Sequence, residues 1–374
     1  MKVLHICSDF PGSKVHQNLY KSLERLEVIQ DIYCYYIDKK YEGRNYFESK
    51  SATIHYACIL NKYDRFFPHY KGHKVARNLK KGIDITSIDI AHATTLFSDG
   101  GIAYLLHKKY HIPYIVTVRS SDINIHLKKA WPEWLYGKRI LMNAERIVFI
   151  SRALKHKFCE HFFIRQFLPK IAEKIVIQPN GIDDFWLDNS TKDRIVADDN
   201  HNLIYVGVYD YNKNIYRLTD ALSILKEKYP DIRLTLVGGR GRLKMQIKEL
   251  AEFHSDVLDF KGLVTNRDQL RELYQQHSVF VMPSLHETFG LVYLEAISQG
   301  LACVYTKGQG IDGMFPDEVG EGVNPLSVED IARGIDAVLS NRGAYHNKRI
   351  NLEQFRWSHI ANVYYGMYTD ILSK

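Results

Sequence analysis

Apolar residues alternate along this chain between two patterns. Short uninterrupted runs read as buried strands, and longer stretches with apolar positions every three or four residues read as helices packed by one face. In the first half the runs lie at 2–7, 32–37, 88–92, 112–118, 146–151 and 173–183, with helical stretches at 13–26 and 101–110. After a polar stretch at 183–202 the pattern restarts. Runs at 202–207, 233–237, 257–263, 278–282 and 301–305 now alternate with helical stretches at 215–228, 243–253, 268–277, 291–297 and 328–339. A strand–helix–strand order repeated in this way predicts a doubly wound parallel sheet, made twice. The expected organisation is an α/β chain with a first domain over 1–185, a linker over 186–201 and a second domain over 202–354. A last amphipathic stretch at 351–372 carries Phe355, Trp357, Ile360, Val363, Tyr364, Met367, Tyr368 and Ile371 on one face.

The junction around 278–300 is the most informative. A buried run closes at Pro283, a loop follows, and a helix runs on to Gly300. Ligands of parallel sheets bind beyond the carboxyl ends of the strands, where such loops lie. If the helix opens near Phe289, beside Thr288, the N–H groups of Phe289, Gly290, Leu291 and Val292 lack partners, and they and the helix dipole attract a phosphate. Glu295 then lies about 8–9 Å along the axis, at 1.5 Å per residue, within reach of a sugar attached to that phosphate. Glu287, on the other side of the helix start, can meet a second sugar. A nucleotide-sugar has that layout.

Composition narrows the field. A chain of 374 residues with 45% hydrophobic and 25% charged residues is ordinary for a globular protein of two domains. The first apolar run is too short for a signal peptide, and no run is long enough to span a membrane. The cysteines at 7, 34, 58, 159 and 303 have no metal-site spacing and read as buried free thiols of a cytoplasmic protein. Charge is uneven: residues 1–190 hold 29 Lys/Arg against 19 Asp/Glu, a balance of +10, and the rest hold 21 against 24. Part of the excess lies at Lys71, Lys74, Arg77, Lys80 and Lys81, beside Phe66, Phe67 and Tyr70. That combination suits an anionic membrane surface at the inner face of the plasma membrane; the alternative is a solvated helix. No recognised nucleic-acid module accompanies the positive charge. The phosphate loop Gly-x-x-x-x-Gly-Lys-Ser/Thr, the zinc motif His-Glu-x-x-His and the serine-hydrolase elbow Gly-x-Ser-x-Gly do not occur. The Gly-x-Gly-x-x-Gly at 308–313 is no dinucleotide fingerprint, since Pro316 follows where a helix should run.

Pro-Ser-x-x-Glu-x-Phe-Gly-Leu-x-x-x-Glu-Ala, from Pro283 to Ala296, resembles the signature of the retaining glycosyltransferases of family 4, the group 1 enzymes of GT-B fold. The resemblance implies two Rossmann-like domains with the active site in the cleft between them, and a terminal helix at about 355–374 crossing back onto the first. It implies metal-independent transfer of a sugar from a nucleotide-diphospho-sugar to a glycan or lipid-linked acceptor in cell-surface polysaccharide synthesis. No resident cofactor is expected, the nucleotide-sugar being a co-substrate. Glu287 matches the family residue that contacts the donor sugar, and Glu295 the one that contacts the ribose. Gly12 and Ser13 lie in the loop beneath the donor phosphates. Leu263 ends a strand that, with the helix after it, cradles the base, and the glycines at 308–313 form a loop near the sugar. Two departures stand out. Arg119 occupies the place of the family histidine, ahead of Asp122, which with His126 is a candidate acceptor contact. Val208 stands where the family has an arginine, so Lys213 is the remaining cation for the pyrophosphate, with Arg242 or Arg119 as the second. Arg119 can also pair with Asp122. A GT-B nucleotide-sugar epimerase and a non-catalytic GT-B scaffold are the alternatives.

Overall fold

The computed structural model of the chain describes residues 1–64, 68–191, 201–315, 319–341, 343, 345 and 350–374, the side chains of 68 and 69 apart. The described residues form two compact units, Met1–Gly181 with Gln354–Lys374, and Ile182–Glu353. The linker expected over 186–201 begins inside a short helix, and its residues 192–200 lie outside the described ones.

In the first unit β1 (Lys2–Ile6), β2 (Ile29–Tyr36), β3 (Ala52–Cys58), β4 (Ile90–Ala93), β5 (Tyr114–Val118), β6 (Arg146–Phe149) and β7 (Ile175–Ile177) make one sheet. Its order is β3-β2-β1-β4-β5-β6-β7, and every neighbouring pair is parallel. Parallel strands need crossovers, supplied here by α1 (Lys14–Glu24), α2 (Pro68–Gly82), α3 (Asp99–Tyr110), α4 (Trp134–Asn143), α5 (Arg152–Cys159), α6 (Phe162–Arg165) and α7 (Leu168–Ile171). Helices on both faces explain why β4 and β5 are buried along their whole length. Strand order reverses between β1 and β4, so the loops leaving them diverge there.

The second unit repeats the plan. After α8 (Asp184–Asp188) come β8 (Asn202–Val206), α9 (Ile215–Leu225), β9 (Arg233–Val237), α10 (Lys244–Phe253), β10 (Leu258–Gly262), α11 (Arg267–Gln276), β11 (Val279–Val281), α12 (Leu291–Ser298), β12 (Ala302–Thr306), β13 (Gly320–Val323) and α13 (Val328–Ser340). The sheet runs β10-β9-β8-β11-β12-β13, again wholly parallel, and reverses between β8 and β11. Caps fix several helix starts: Asn266 accepts from Asp268 and Gln269, and Ser327 accepts from Asp330.

The last helix, α14 (Trp357–Leu372), returns to the first unit. Its Trp357, Ile360, Ala361, Tyr364, Met367, Tyr368 and Ile371 join Val3, Leu19, Tyr20 and Leu23 in one core. Each large apolar side chain buried this way contributes about 1.5–3 kcal/mol. Gly181 is needed at the crossing: a Cβ there would come within 2.6 Å of the Trp357 ring and 2.8 Å of the Phe355 carbonyl. The cysteines are free, but only Cys7, Cys34 and Cys303 are buried; Cys58 is exposed and Cys159 half-buried, which corrects the reading of five buried thiols. Among the described residues no helix is long and apolar enough to cross a membrane.

Candidate active site

The candidate site of the second unit lies at its topological reversal, where the loops after β8 and β11 meet. Lys213 ends a short 3₁₀ turn in the first loop, and Glu287 sits in the second. Their side chains pair at 2.7 Å, Lys213 Nζ to Glu287 Oε2, and both are largely buried. Lys213 also donates to Ser284 Oγ at 3.4 Å. The loops are stitched by backbone and side chain together. The Leu285 and His286 N–H groups donate to the carbonyl and side-chain oxygens of Asn212, whose amide returns a bond to the His286 carbonyl. Asn214 adopts the left-handed conformation (φ 59°), which asparagine tolerates, and its amide donates to the Pro283 and Pro325 carbonyls.

Glu287 is fixed on its other side by Gln309. The Glu287 N–H donates to Gln309 Oε1 at 2.8 Å, and Gln309 Nε2 donates to the Leu285 carbonyl at 3.0 Å. The Gly310 N–H adds a bond to the Glu287 carbonyl at 3.2 Å. The 308–313 loop thus supports the glutamate through a side chain that sequence reasoning passed over, because the glycines drew attention and the glutamine between them did not.

The helix after Glu287 opens later than expected. Phe289 is buried and precedes the cap, Gly290 (φ 81°), and α12 begins at Leu291. A Cβ at Gly290 would meet the Tyr293 ring at 2.6 Å, so this turn requires glycine. The Thr288 N–H already donates to Glu287 Oε1, and the Tyr293 N–H to the Gly290 carbonyl. Helix α12 thus starts two residues later than expected, and its first two N–H groups are those of Leu291 and Val292.

Glu295, one turn further on, is only partly exposed, and Tyr274 donates to its Oε2 at 3.3 Å. Burial pushes its pKa up to about 7, the Tyr274 bond opposes this, and Asp183 adds to it while Arg267 offsets it. Arg267 makes a two-point contact with Asp183 at 3.0 and 2.7 Å. Tyr274, Arg267 and Asp183 were not legible in the sequence, since the first two come from α11 and the third is the cap of α8.

The remaining donor candidates of this unit lie on adjoining loops. The Arg242 N–H donates to Asp210 Oδ1, and Tyr209 N–H to the Arg240 carbonyl, so the Arg242 loop is tied to the Lys213 loop. Val208, where a cation was missing, is exposed. Leu263 is exposed beyond β10, its Cβ close against Gly239.

In the first unit the candidates separate. The Gly12 and Ser13 N–H groups both donate to the Asp9 carbonyl, at 2.9 and 3.1 Å, and Ser13 caps α1. They are committed to a turn and do not offer the phosphate donors expected of them. Asp122 is buried, with its oxygens on the N–H groups of Leu96, Phe97 and Arg119 at 3.0, 3.2 and 2.8 Å. It clamps two loops together and presents no oxygen to a ligand, which corrects its reading as an acceptor contact. Burial raises its pKa, and the three N–H groups oppose that. Arg119 does not pair with Asp122 by its side chain: its Nε donates to the Thr94 carbonyl at 3.1 Å. His126 stacks on Phe97 at 4.7 Å and bonds Glu133 at 2.6 Å, on a π-helical turn, Asp122–Leu127.

The model of the Glycosyltransferase Family 4 proteins matches residues 17–184, and that of the group 1 glycosyl transferases matches 188–354. An uncharacterised glycosyltransferase of Methanocaldococcus jannaschii is 27% identical over 329 residues, 83% of this chain and 76% of that one. Sucrose-phosphate synthase of Thermosynechococcus elongatus superposes with a TM-score of 0.72 at 19% identity, over 100% of this chain and 99% of the other. The Anabaena protein HepE in complex with UDP-glucose superposes with a TM-score of 0.65 at 14% identity, over 100% and 99%. Matched in both halves and in the same chain order, this chain belongs to the group 1 glycosyltransferases of family 4, with the GT-B fold.

Proposed function

We propose that the protein transfers a hexose from a nucleotide-diphospho-sugar to a glycan or lipid-linked acceptor, with retention and without a metal, in cell-surface polysaccharide synthesis. The observation that carries the reading is the Lys213–Glu287 pair at the sheet reversal, beside the start of α12. In that reading Lys213 and the Leu291 and Val292 N–H groups take the charge that develops on the leaving diphosphate. Arg242 and Arg119 are the candidates for a second cation. Glu295 accepts from the ribose hydroxyls, and Leu263 offers an apolar shelf to the base. A diphosphate draws Lys213 away from Glu287, and the freed carboxylate turns to the sugar hydroxyls. Glu287 orients the sugar and does not attack it. The acceptor oxygen bonds the anomeric carbon on the face from which the phosphate oxygen departs, and that oxygen takes the acceptor proton. A solved relative in complex with UDP-glucose supports a nucleotide-sugar donor.

The first unit takes the acceptor in this reading, and the enzyme works in the cytoplasm against the inner membrane surface. The basic stretch is smaller than its sequence suggests. Lys74 is paired with buried Asp64 at 2.8 Å, and Lys71 donates to Ser98 Oγ at 2.9 Å. Phe66 and Phe67 lie outside the described residues. Arg77, Lys80 and Lys81 remain exposed on α2 for an anionic bilayer, each contributing about 1 kcal/mol.

The test is turnover with a panel of nucleotide-sugars and acceptors in excess EDTA, with product configuration read by NMR. Retained configuration and undiminished rate are expected. Loss of turnover restored by Mg²⁺ or Mn²⁺ overturns the metal-independent mechanism.

A further inference from the structure

The outer helical face of the first unit holds a cavity of about 750 Å³ between α2, α3 and α4. Its walls carry Arg77 and Lys80 from α2, Lys108 and Lys109 from α3, and Arg139 from α4. No acidic residue lines it, and α2 and α4 contain none at all. The only acid of α3 is Asp99, buried at the other end of that helix under Tyr35 and Thr94. Among the described residues none of the five cations has an ion-pair partner, although Lys71 and Lys74 on the same helix are held by Ser98 and Asp64. Lys80 and Lys109 both lie over the Tyr110 ring, at 4.8 and 5.3 Å, and a hydrogen bond from Lys80 foremost holds the Tyr110 phenol below its ordinary pKa.

Cations at the end of α3 complement its dipole and are ordinary there. Lys80, in the last turn of α2, is ordinary for the same reason, but Arg77 and Arg139 have no such reason, and like charges around one concavity repel unless an anion joins them. The apolar part of the wall, from Tyr104, Tyr136 and Leu105, is unlike a bare ion site. Tyr136 is locked in place by its bond to the Gly101 carbonyl at 3.0 Å and its edge contact with Tyr104. We propose that this cavity binds a phosphate ester, its phosphate oxygens held by Arg77, Lys80, Lys108, Lys109 and Arg139 and its organic body laid against Tyr104 and Tyr136. Arginines suit phosphate by their paired donors, and lysines as point charges. The cavity stands on residues other than the donor-site set. It deepens the membrane reading, on which it rests for one of its two sources, a lipid headgroup; the other is a soluble phosphate ester.

Two probes separate the sources: inorganic pyrophosphate by calorimetry, and co-sedimentation with phosphatidylglycerol vesicles at physiological salt. Arg139→Glu alters the cavity, whereas Lys81→Glu makes the same charge change on α2 outside it. Expected is loss of one pyrophosphate site and about tenfold weaker vesicle binding in Arg139→Glu, as for a lost charge-assisted bond, and a smaller change in Lys81→Glu. Pyrophosphate loss without any vesicle binding keeps the cavity, assigns it a soluble ester and removes the membrane reading. Equal weakening by both variants on vesicles, with pyrophosphate binding intact, overturns the cavity and leaves diffuse docking. Unchanged binding of both probes overturns both. Lys108→Ala, on an exposed position, repeats the test should Arg139→Glu lose its fold by circular dichroism.

Discussion

In the proposed function Glu295 ties nucleotide binding to pH. In the unliganded protein its carboxyl has a pKa of about 7, above the ordinary 4.5, because the protein around it disfavours the charged form. Ribose hydroxyls donate to a carboxylate and favour the charged form, so binding must first remove the proton whenever pH lies below 7. At pH 6 about one-tenth of the free protein is ionised, so the affinity for a nucleotide-sugar should fall about tenfold between pH 8 and pH 6, or about 1.4 kcal/mol. A nucleotide-sugar is the right probe because its diphosphate diester does not titrate in this range, whereas a free diphosphate does. Glu295→Gln should bind equally at both pH values, close to the weak wild-type level at pH 6. Glu295→Ala should lose about 1.5–3 kcal/mol at pH 8, as charge-assisted bonds do. Stability gives a second readout. A carboxyl whose folded pKa is raised weakens the fold as pH rises from its unfolded pKa to its folded one, here from about 4.5 to about 7, at about 1.4 kcal/mol per unit. The unliganded Glu295→Gln protein should therefore melt higher than wild type at pH 8 and alike at pH 4.5. Calorimetric titration at pH 6, 7 and 8 decides: wild-type affinity that stays level, or a glutamine variant that still tracks pH, refutes the reasoning.

Three other expectations follow from the same geometry. Lys213→Ala should lower kcat/KM by about 10²–10³, the usual cost of one preorganised donor to a developing charge, and a rate within threefold of wild type counts against its role. Asp122→Ala strips three N–H groups, two of them buried, of their acceptor and should cost about 2–4 kcal/mol in urea unfolding, with Asp122→Asn losing less; equal midpoints for wild type and alanine would falsify the clamp. His5, His16 and His92 are buried with pKa values held down by burial, that of His92 at about 3. Below about pH 6.5 the unfolded chain takes protons that the folded one refuses, so each costs about 1.4 kcal/mol per pH unit, and His92→Gln should flatten the acid limb of the stability curve by that amount.

The parallel architecture was readable because most of its strands are buried on both faces and so appear as unbroken apolar runs. β3 shows the limit. It is an edge strand whose residues are mostly half-exposed, so His55 and Thr53 interrupt the pattern that marked β1 and β4. α4 and α5 escaped for the opposite reason. Each is short, and the apolar Trp134, Leu135 and Phe162 around them face outward as well as inward, which blurs the helical period.

The candidate site was legible where its placement follows residue type and spacing, and opaque where it depends on what the backbone has already bonded. Glu287, Glu295 and Lys213 stand out by type and spacing, and the fold brings Lys213 to Glu287 across the sheet reversal. Gly12, Ser13 and Asp122 have suitable types, yet each is committed elsewhere: two N–H groups to one carbonyl, and one carboxylate to three N–H groups. No spacing rule reports such commitments, because the partners are near in space and, for Asp122, 25 and 26 residues away in sequence. The reverse holds for Gln309 and Tyr274. Nothing in their residue type marks them, but the first fixes the backbone of Glu287 and the second meets the carboxylate of Glu295. A glutamate in a nucleotide-sugar site has to keep its orientation when Lys213 turns to a phosphate, and Gln309 supplies that hold independently of the Lys213 charge. In the proposed function, replacing Gln309 should therefore disturb sugar positioning while leaving nucleotide affinity, which in that reading rests on Lys213, the start of α12 and Glu295, where it was.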